Sequence, residues 1–345
     1  MNVQRLRSRL AALTAAAVLA LSGCGAPDIT EPSAPSQSEY EKYTEASARE
    51  QNSFRAFTNE LFCEEVSADQ ITLHYSLADP AARGITGADS AFGEASSEAL
   101  RRDMEDTERV HRELTQFDRS LLSESQQLTY DILNSYLNTA LTGKGLELYS
   151  RPLAPTIGIQ AQLPILLAEY PFYTVKDVED YLSILSQIDV YYEELEEFER
   201  EKAAAGLYYS DGTIDRLIES CESYLIVPQE NFLTETFAEK LDGLTGVSQE
   251  EKAAWKRRHT ELIAEHFVPA YQSLIETLTS LKGTGTNEIG MCGFPQGKEY
   301  YEYLVRMSTG TSYASVDELT DAVTRRIDED AAAMANELTA ELYLE

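Results

Sequence analysis

Cysteine, histidine and positive charge are all scarce in this chain, and each shortage closes off a class of function. Four cysteines in 345 residues, at 24, 63, 221 and 292, include no C-x-x-C pair and leave an odd number beyond Cys24. That scatter describes neither a disulfide framework nor a cysteine-built zinc site. Twenty-eight Lys and Arg stand against 59 Asp and Glu, a formal charge of −31. A surface so acidic repels phosphate backbones and anionic headgroups, so nucleic acid is excluded as a partner. The apolar run near the N-terminus, Leu10 to Leu21, falls short of the roughly 20 residues that a bilayer-spanning helix needs.

What that run does have is the layout of a secretory signal. Arg5, Arg7 and Arg9 precede it, and the small residues Ser22 and Gly23 follow, directly before Cys24. The Leu21-Ser22-Gly23-Cys24 run resembles the lipobox of bacterial lipoproteins. That resemblance implies removal of residues 1–23, acylation of Cys24 and export. The expected location is the outer side of the cytoplasmic membrane or the cell envelope, with the lipid bilayer as partner through the acylated Cys24. Cleavage would remove three arginines and no acid, leaving a still more acidic chain. Residues 24–46, with Pro27, Pro32, Pro35 and several serines, read as a flexible tether.

From 47 to 345 the pattern is overwhelmingly helical. Leu100, Met104, Thr107, His111 and Leu114 share a face at 4-3-4-3 spacing. Ser123 with Gln126, Ser248 with Glu251, and Ser315 with Glu318 form capping boxes. The first opens a helix whose Leu128, Ile132, Leu133, Tyr136, Leu137 and Ala140 are expected to face inward. Thr174 with Asp177 opens a helix of about thirty residues that Gly206 stops with a left-handed cap. The next long helix, from Ser248 to Leu281, should bend at Pro269. Pro152, Pro155, Gly158 and Pro164 mark an irregular stretch, and Ile71–Tyr75 is the one short segment of β-type residues. The expected fold is all-α, mainly long helices with at most a minor short strand element. The apolar spacing of the last helix, Val323, Ile327, Met334 and Leu338, runs on through Leu342 and Leu344 with no stop signal. That pattern raises the expectation of a chain truncated at its C-terminus.

Motifs that would carry chemistry are missing. A helical zinc pair needs His at i and i+4, whereas His259 and His266 are seven apart, roughly 10 Å along the axis. His111 falls on an apolar stripe and His74 in the β-type segment. No G-x-S-x-G elbow occurs, and the turn Gly293–Lys298 fails as a phosphate loop because Glu299 follows the lysine. The acids Glu193, Glu194, Glu196 and Glu197 read as a solvated helix face. No metal or cofactor site is expected in this chain.

One longer similarity remains. Cys292-Gly293-Phe294-Pro295, Gly297 to Tyr301, Leu304-Val305-Arg306, Ser308 to Thr311 and Val316 to Leu319 follow one another in an order that resembles the bacterial domain of unknown function 885 family. Ile71–Tyr75, Gln162-Leu163-Pro164 and Tyr208–Asp211 are similar to earlier parts of it. The resemblance implies the N-terminal portion of a zincin-like helical metallopeptidase, an exported hydrolase whose H-E-x-x-H helix lies further downstream. No H-E-x-x-H occurs here, so no catalytic residue carries over, and zinc belongs only to a full-length member. Tyr300, Tyr301 and Arg306 become candidates for lining the cleft of a peptide substrate. The alternative is a complete, non-enzymatic lipoprotein that binds peptides or a cell-envelope partner. A missing catalytic half would leave Val323, Ile327 and Met334 exposed.

Overall fold

The computed structural model describes residues 37–342 apart from Asp89. The expected signal segment 1–23, the expected lipidation site Cys24 and the first part of the expected tether, to residue 36, lie outside the described residues, as do 343–345. Every regular element among the described residues is helical, and the Ile71–Tyr75 segment is no exception. None of these helices is long and apolar enough to cross a membrane.

Helix α1 (Gln37–Ser67) begins ten residues inside the stretch expected to be a tether. The tether's last proline is Pro35, and no Pro or Gly occurs from 37 to 67, so nothing there opposes a helix. Its Gln51 amide donates to the Leu121 carbonyl at 3.0 Å, and Gln126 donates to the Gln51 carbonyl at 2.8 Å. Helix α2 (Gln70–Ser76) takes the β-type residues because Asp69 caps it. The Asp69 carboxylate accepts from the Thr72 backbone N–H at 2.8 Å and from its hydroxyl at 2.7 Å. The cap, with burial of Ile71 and Leu73, outweighs a weak strand preference.

Helices α3 (Ser97–Leu114) and α4 (Glu124–Leu141) pack on each other. With α1 they enclose a small core of Phe54, Val110, Leu114, Leu122 and Leu137. Leu128 departs from the expected inward face of α4 and is exposed. The expected irregular stretch holds from Pro152 to Gly158, but helix α5 (Ile159–Glu169) takes its end, with Pro164 inside it. A proline there leaves the carbonyl four residues back without its helical donor. That carbonyl, on Gln160, accepts the Tyr271 hydroxyl at 2.6 Å instead, and Tyr192 donates to Tyr271 at 2.9 Å.

The expected thirty-residue helix is two, α6 (Val175–Leu185) and α7 (Ile188–Ala204). The break at Ser186–Gln187 follows from side chains competing for backbone. Ser186 Oγ and Gln187 Nε2 both donate to the Ser183 carbonyl, at 2.8 and 3.1 Å. Gly206, at φ 73°, closes α7 in the left-handed region as its position implies. Helices α8 (Asp211–Glu222), α9 (Phe232–Gly243), α10 (Gln249–Leu262) and α11 (Val268–Ser280) complete the main core. Between α10 and α11 the chain makes a π turn, Ile263–Phe267, where the Val268 N–H reaches back to the Ile263 carbonyl. Here the expected disturbance at Pro269 takes the form of a wider turn that seats the proline without breaking the rod.

Helix α11 packs on α7 and α8, α10 on α9 and α6, and α5 on α8 and α9. Tyr181, Tyr192, Leu195, Phe237, Phe267 and Tyr271 fill the space between them. Helix α12 (Gly297–Thr309) lies on α4. Helix α13 (Val316–Leu342), about 40 Å long at 1.5 Å per residue, ends the described chain. None of its side chains from 316 to 336 is buried.

Candidate functional site

The passage carrying Tyr300, Tyr301 and Arg306 is fixed to the domain from three sides. A Cβ on Gly285 would strike the Tyr209 carbonyl, and one on Gly297 the Met291 carbonyl, so only glycine permits these approaches. The Gln296 N–H donates to the Tyr149 hydroxyl at 3.0 Å. Tyr300 is buried, with its ring 5.5 Å from that of Tyr149 and 5.9 Å from that of Tyr303. Tyr303 in turn lies against Gly143 at the end of α4.

The three candidates do not converge. Consecutive helical residues point about 100° apart, so burying Tyr300 turns Tyr301 outward, where it is 51 % exposed. Arg306 donates through Nη2 to the Ala314 carbonyl at 2.6 Å, and Gly310 caps α12 at φ 62°. Arg306 therefore ties the Thr-rich turn to α12. Of the Ser315–Glu318 box, one half stands: the Glu318 N–H donates to Ser315 Oγ at 3.2 Å, while the Glu318 carboxylate reaches back to the Ala314 N–H at 3.1 Å. Beyond the turn, Val323, Ile327 and Met334 are 49 %, 61 % and 64 % exposed.

The histidines go to four separate places. His111 pairs with Asn134 at 3.0 Å, and His266 Nδ1 meets an Asp189 carboxylate oxygen at 2.8 Å. His74 stacks on Tyr170 at 3.7 Å, with Asp177 3.5 Å from its Nδ1. His259 is fully enclosed, stacked on Phe237 at 4.3 Å, and burial drives its pKa down to about 3. Beside it Lys240 lies over the Phe172 and Tyr181 rings and donates to the Leu167 and Ala168 carbonyls. Burial lowers its pKa to about 8. Among the described residues no three His, Cys, Asp or Glu side chains gather around one point, so the donors present do not fit a zinc ion.

Of the four α7 acids expected in solvent, Glu193 and Glu197 are exposed, whereas Glu194 and Glu196 are not. Glu196 is buried and accepts from Thr277 Oγ1 at 2.7 Å and from Arg200 at 3.1 Å, and Glu194 accepts the Ala95 N–H at 2.8 Å. Deeper still, Lys202 Nζ lies 3.6 Å from Glu199 Oε1 and donates to the Tyr209 hydroxyl at 3.0 Å. That hydroxyl donates to the Leu153 carbonyl at 2.9 Å. Burial pushes the Glu199 pKa up and the Lys202 pKa down, while their mutual attraction opposes both shifts. The spacing offered a signal: 188, 192, 195, 199 and 202 form one helical stripe, so Glu199 and Lys202 fall on the face of Ile188, Tyr192 and Leu195. Lys202 also lies 4.3 Å above the Tyr209 ring, which makes this a closed structural cluster.

A family model described as a bacterial protein of unknown function (DUF885) matches residues 80–342. A solved structure described as "the putative lipoprotein from Colwellia psychrerythraea" matches with a TM-score of 0.58 at 16 % sequence identity. The match covers 81 % of this chain and 47 % of that one, so the chain spans about half the length of its solved relative. No curated protein matches.

Proposed function

Since the chain belongs to the bacterial DUF885 family, we propose that it is the N-terminal helical part of a zinc-metallopeptidase-like lipoprotein. On this reading Cys24 is acylated, and the helical domain is held outside the cytoplasmic membrane or at the cell envelope. The outer side of α12, with Tyr301 and Arg306, forms one wall of a peptide cleft. Tyr300 works from beneath by packing on Tyr149. The hydrolytic step belongs to an H-E-x-x-H segment this sequence does not contain, and no residue here is assigned a part in it.

One observation carries the reading. The α12–α13 surface is anchored at its base by close glycine contacts and left bare on its outer side, and the solved relative has as much chain again to cover such a face. The test starts with the coding sequence beyond codon 345. An in-frame H-E-x-x-H segment, expressed with this chain, should give zinc-dependent peptide hydrolysis that the chain alone lacks. In the combined protein, Tyr301→Ala and Arg306→Ala should each lower kcat/KM about tenfold, the loss of one positioning contact of about 1.4 kcal/mol. Peptide turnover by the chain alone, or unchanged turnover in both variants, overturns the assignment. A stop codon with no such segment leads instead to the second reading, a non-enzymatic lipoprotein binding peptides or an envelope partner. The exposed apolar line on α13 favours it.

A further inference from the structure

We infer that the cleft between α1 and the start of α4 binds a sugar acid, a polyhydroxylated ligand carrying one carboxylate. The cleft encloses about 440 Å³, the size of a small-ligand site, which runs to about 300–1,000 Å³. Helix α1 lines it with Gln51, Asn52, Arg55 and Thr58, which fall within about 120° of one another around the helix. Helix α4 answers with Ser125 and Thr129, one turn apart. The 2.8 Å bond from the Gln126 amide to the Gln51 carbonyl ties the two walls together. The cleft stands about 20 Å along α4 from Gly143, where Tyr303 packs, so it stands or falls apart from the peptidase reading.

Hydrogen-bonding roles select the ligand. The Thr58 hydroxyl donates to the Phe54 carbonyl at 3.0 Å and the Thr129 hydroxyl to the Ser125 carbonyl at 3.1 Å. With their protons spent, both oxygens can only accept from the cleft. Gln51 spends its amide N–H groups on Ser47 Oγ and the Leu121 carbonyl, at 2.8 and 3.0 Å, which leaves its Oε1 to accept as well. Three acceptors call for a ligand rich in O–H donors. The donors facing it are Asn52 Nδ2 and the guanidinium of Arg55, held by its Nη2 bond to Asn52 Oδ1 at 2.6 Å. No acid lines the cleft, in a chain with 59 of them, and Arg55 has no carboxylate partner among the described residues. A carboxylate on the ligand supplies that partner. An ammonium would meet the same acceptors but be repelled by Arg55. A phosphate would bring two charges to one guanidinium inside an acidic protein. Ser123 and Gln126, which complete this side of the lining, are spent on each other in the α4 capping box.

The test is isothermal titration calorimetry of the full chain with D-glucuronate, and with glucose, glucosamine and glucose 6-phosphate as its neutral, cationic and dianionic counterparts. Expected are saturable one-to-one binding of glucuronate, at least tenfold weaker binding of glucose, and no binding of glucosamine. In Arg55→Gln the affinity for glucuronate should fall to that for glucose. In Thr58→Val/Thr129→Val both sugars should weaken by the same factor. Arg55 is exposed and the two threonines only half-buried, so an unchanged circular dichroism spectrum is expected for both variants. No binding of glucuronate, glucose or glucosamine binding as tightly, or glucose 6-phosphate binding more tightly overturns the proposal. So does undiminished glucuronate binding in either variant.

Discussion

Replacing Lys202 with Met tests how the main core tolerates the charges of α7. Methionine keeps an unbranched chain of similar length, so packing against Phe198 and Tyr209 is largely preserved and the change is electrostatic. Glu199 then sits fully buried without its paired cation. It keeps one weak hydroxyl contact, at 3.5 Å from Tyr209, and its Oε2 already lacks a hydrogen-bond partner among the described residues. Breaking a buried pair by removing one member costs about 3–5 kcal/mol, a large share of a typical domain's stability. The carboxyl can escape part of that cost by binding a proton. Its folded pKa, already raised by burial, rises further above its unfolded value. A raised folded pKa means stability that is complete below the unfolded pKa and lost as pH climbs through the folded one, at up to about 1.4 kcal/mol per unit. The variant should therefore be most stable near pH 4 and weaken toward pH 8. Urea denaturation across that range, with m held constant, reads the effect directly. Glu199→Leu/Lys202→Met, which removes both charges, should recover most of the loss and flatten the pH dependence. A cost below about 1 kcal/mol at pH 8, or a double variant no better than the single one, would refute the claim that the pair is buried and mutually dependent.

Other consequences can be measured separately. Tyr300→Ala should cost about 3–5 kcal/mol because the ring is enclosed, while Tyr301→Ala should stay within about 0.5 kcal/mol, both by thermal unfolding. Gly297→Ala should destabilise by at least about 1 kcal/mol, since its Cβ has no space before the Met291 carbonyl. His259 should stay neutral to below pH 4 in histidine NMR titrations. Its folded pKa is depressed, so its contribution to stability is present above pH 6.5 and lost as pH falls toward about 3.

The helices were legible wherever a local rule set them. Ser123 with Gln126, Thr174 with Asp177, and Ser248 with Glu251 all form their capping boxes, because such a box needs only its own four residues. What escaped the sequence depends on distant partners. Pro164 reads as a breaker until Tyr271, more than a hundred residues on, supplies the hydroxyl that the Gln160 carbonyl needs. Ile71–Tyr75 reads as a strand by side-chain type, and one capping carboxylate at Asp69 overrules it. Glu196 was misjudged for a different reason. Its charge invited a surface assignment, and the Thr277 hydroxyl that meets it comes from a distant helix. For the three candidate site residues the neighbourhood was legible but not the directions, which the packing of Tyr300 on Tyr149 decides.

The π turn at Ile263–Phe267 has a genetic meaning as well as a mechanical one. It holds one residue more than an α-helical turn, so it resets the angular phase between α10, which serves α9 and α6, and α11, which serves α7 and α8. Deleting a single codon there would scarcely shorten the rod. It would rotate α11 by roughly a quarter turn, with Tyr271 and Thr277 swinging away from Gln160 and Glu196. A lost residue turns the phase of any helix, but in these five positions it would do so between two halves of one rod that serve different neighbours.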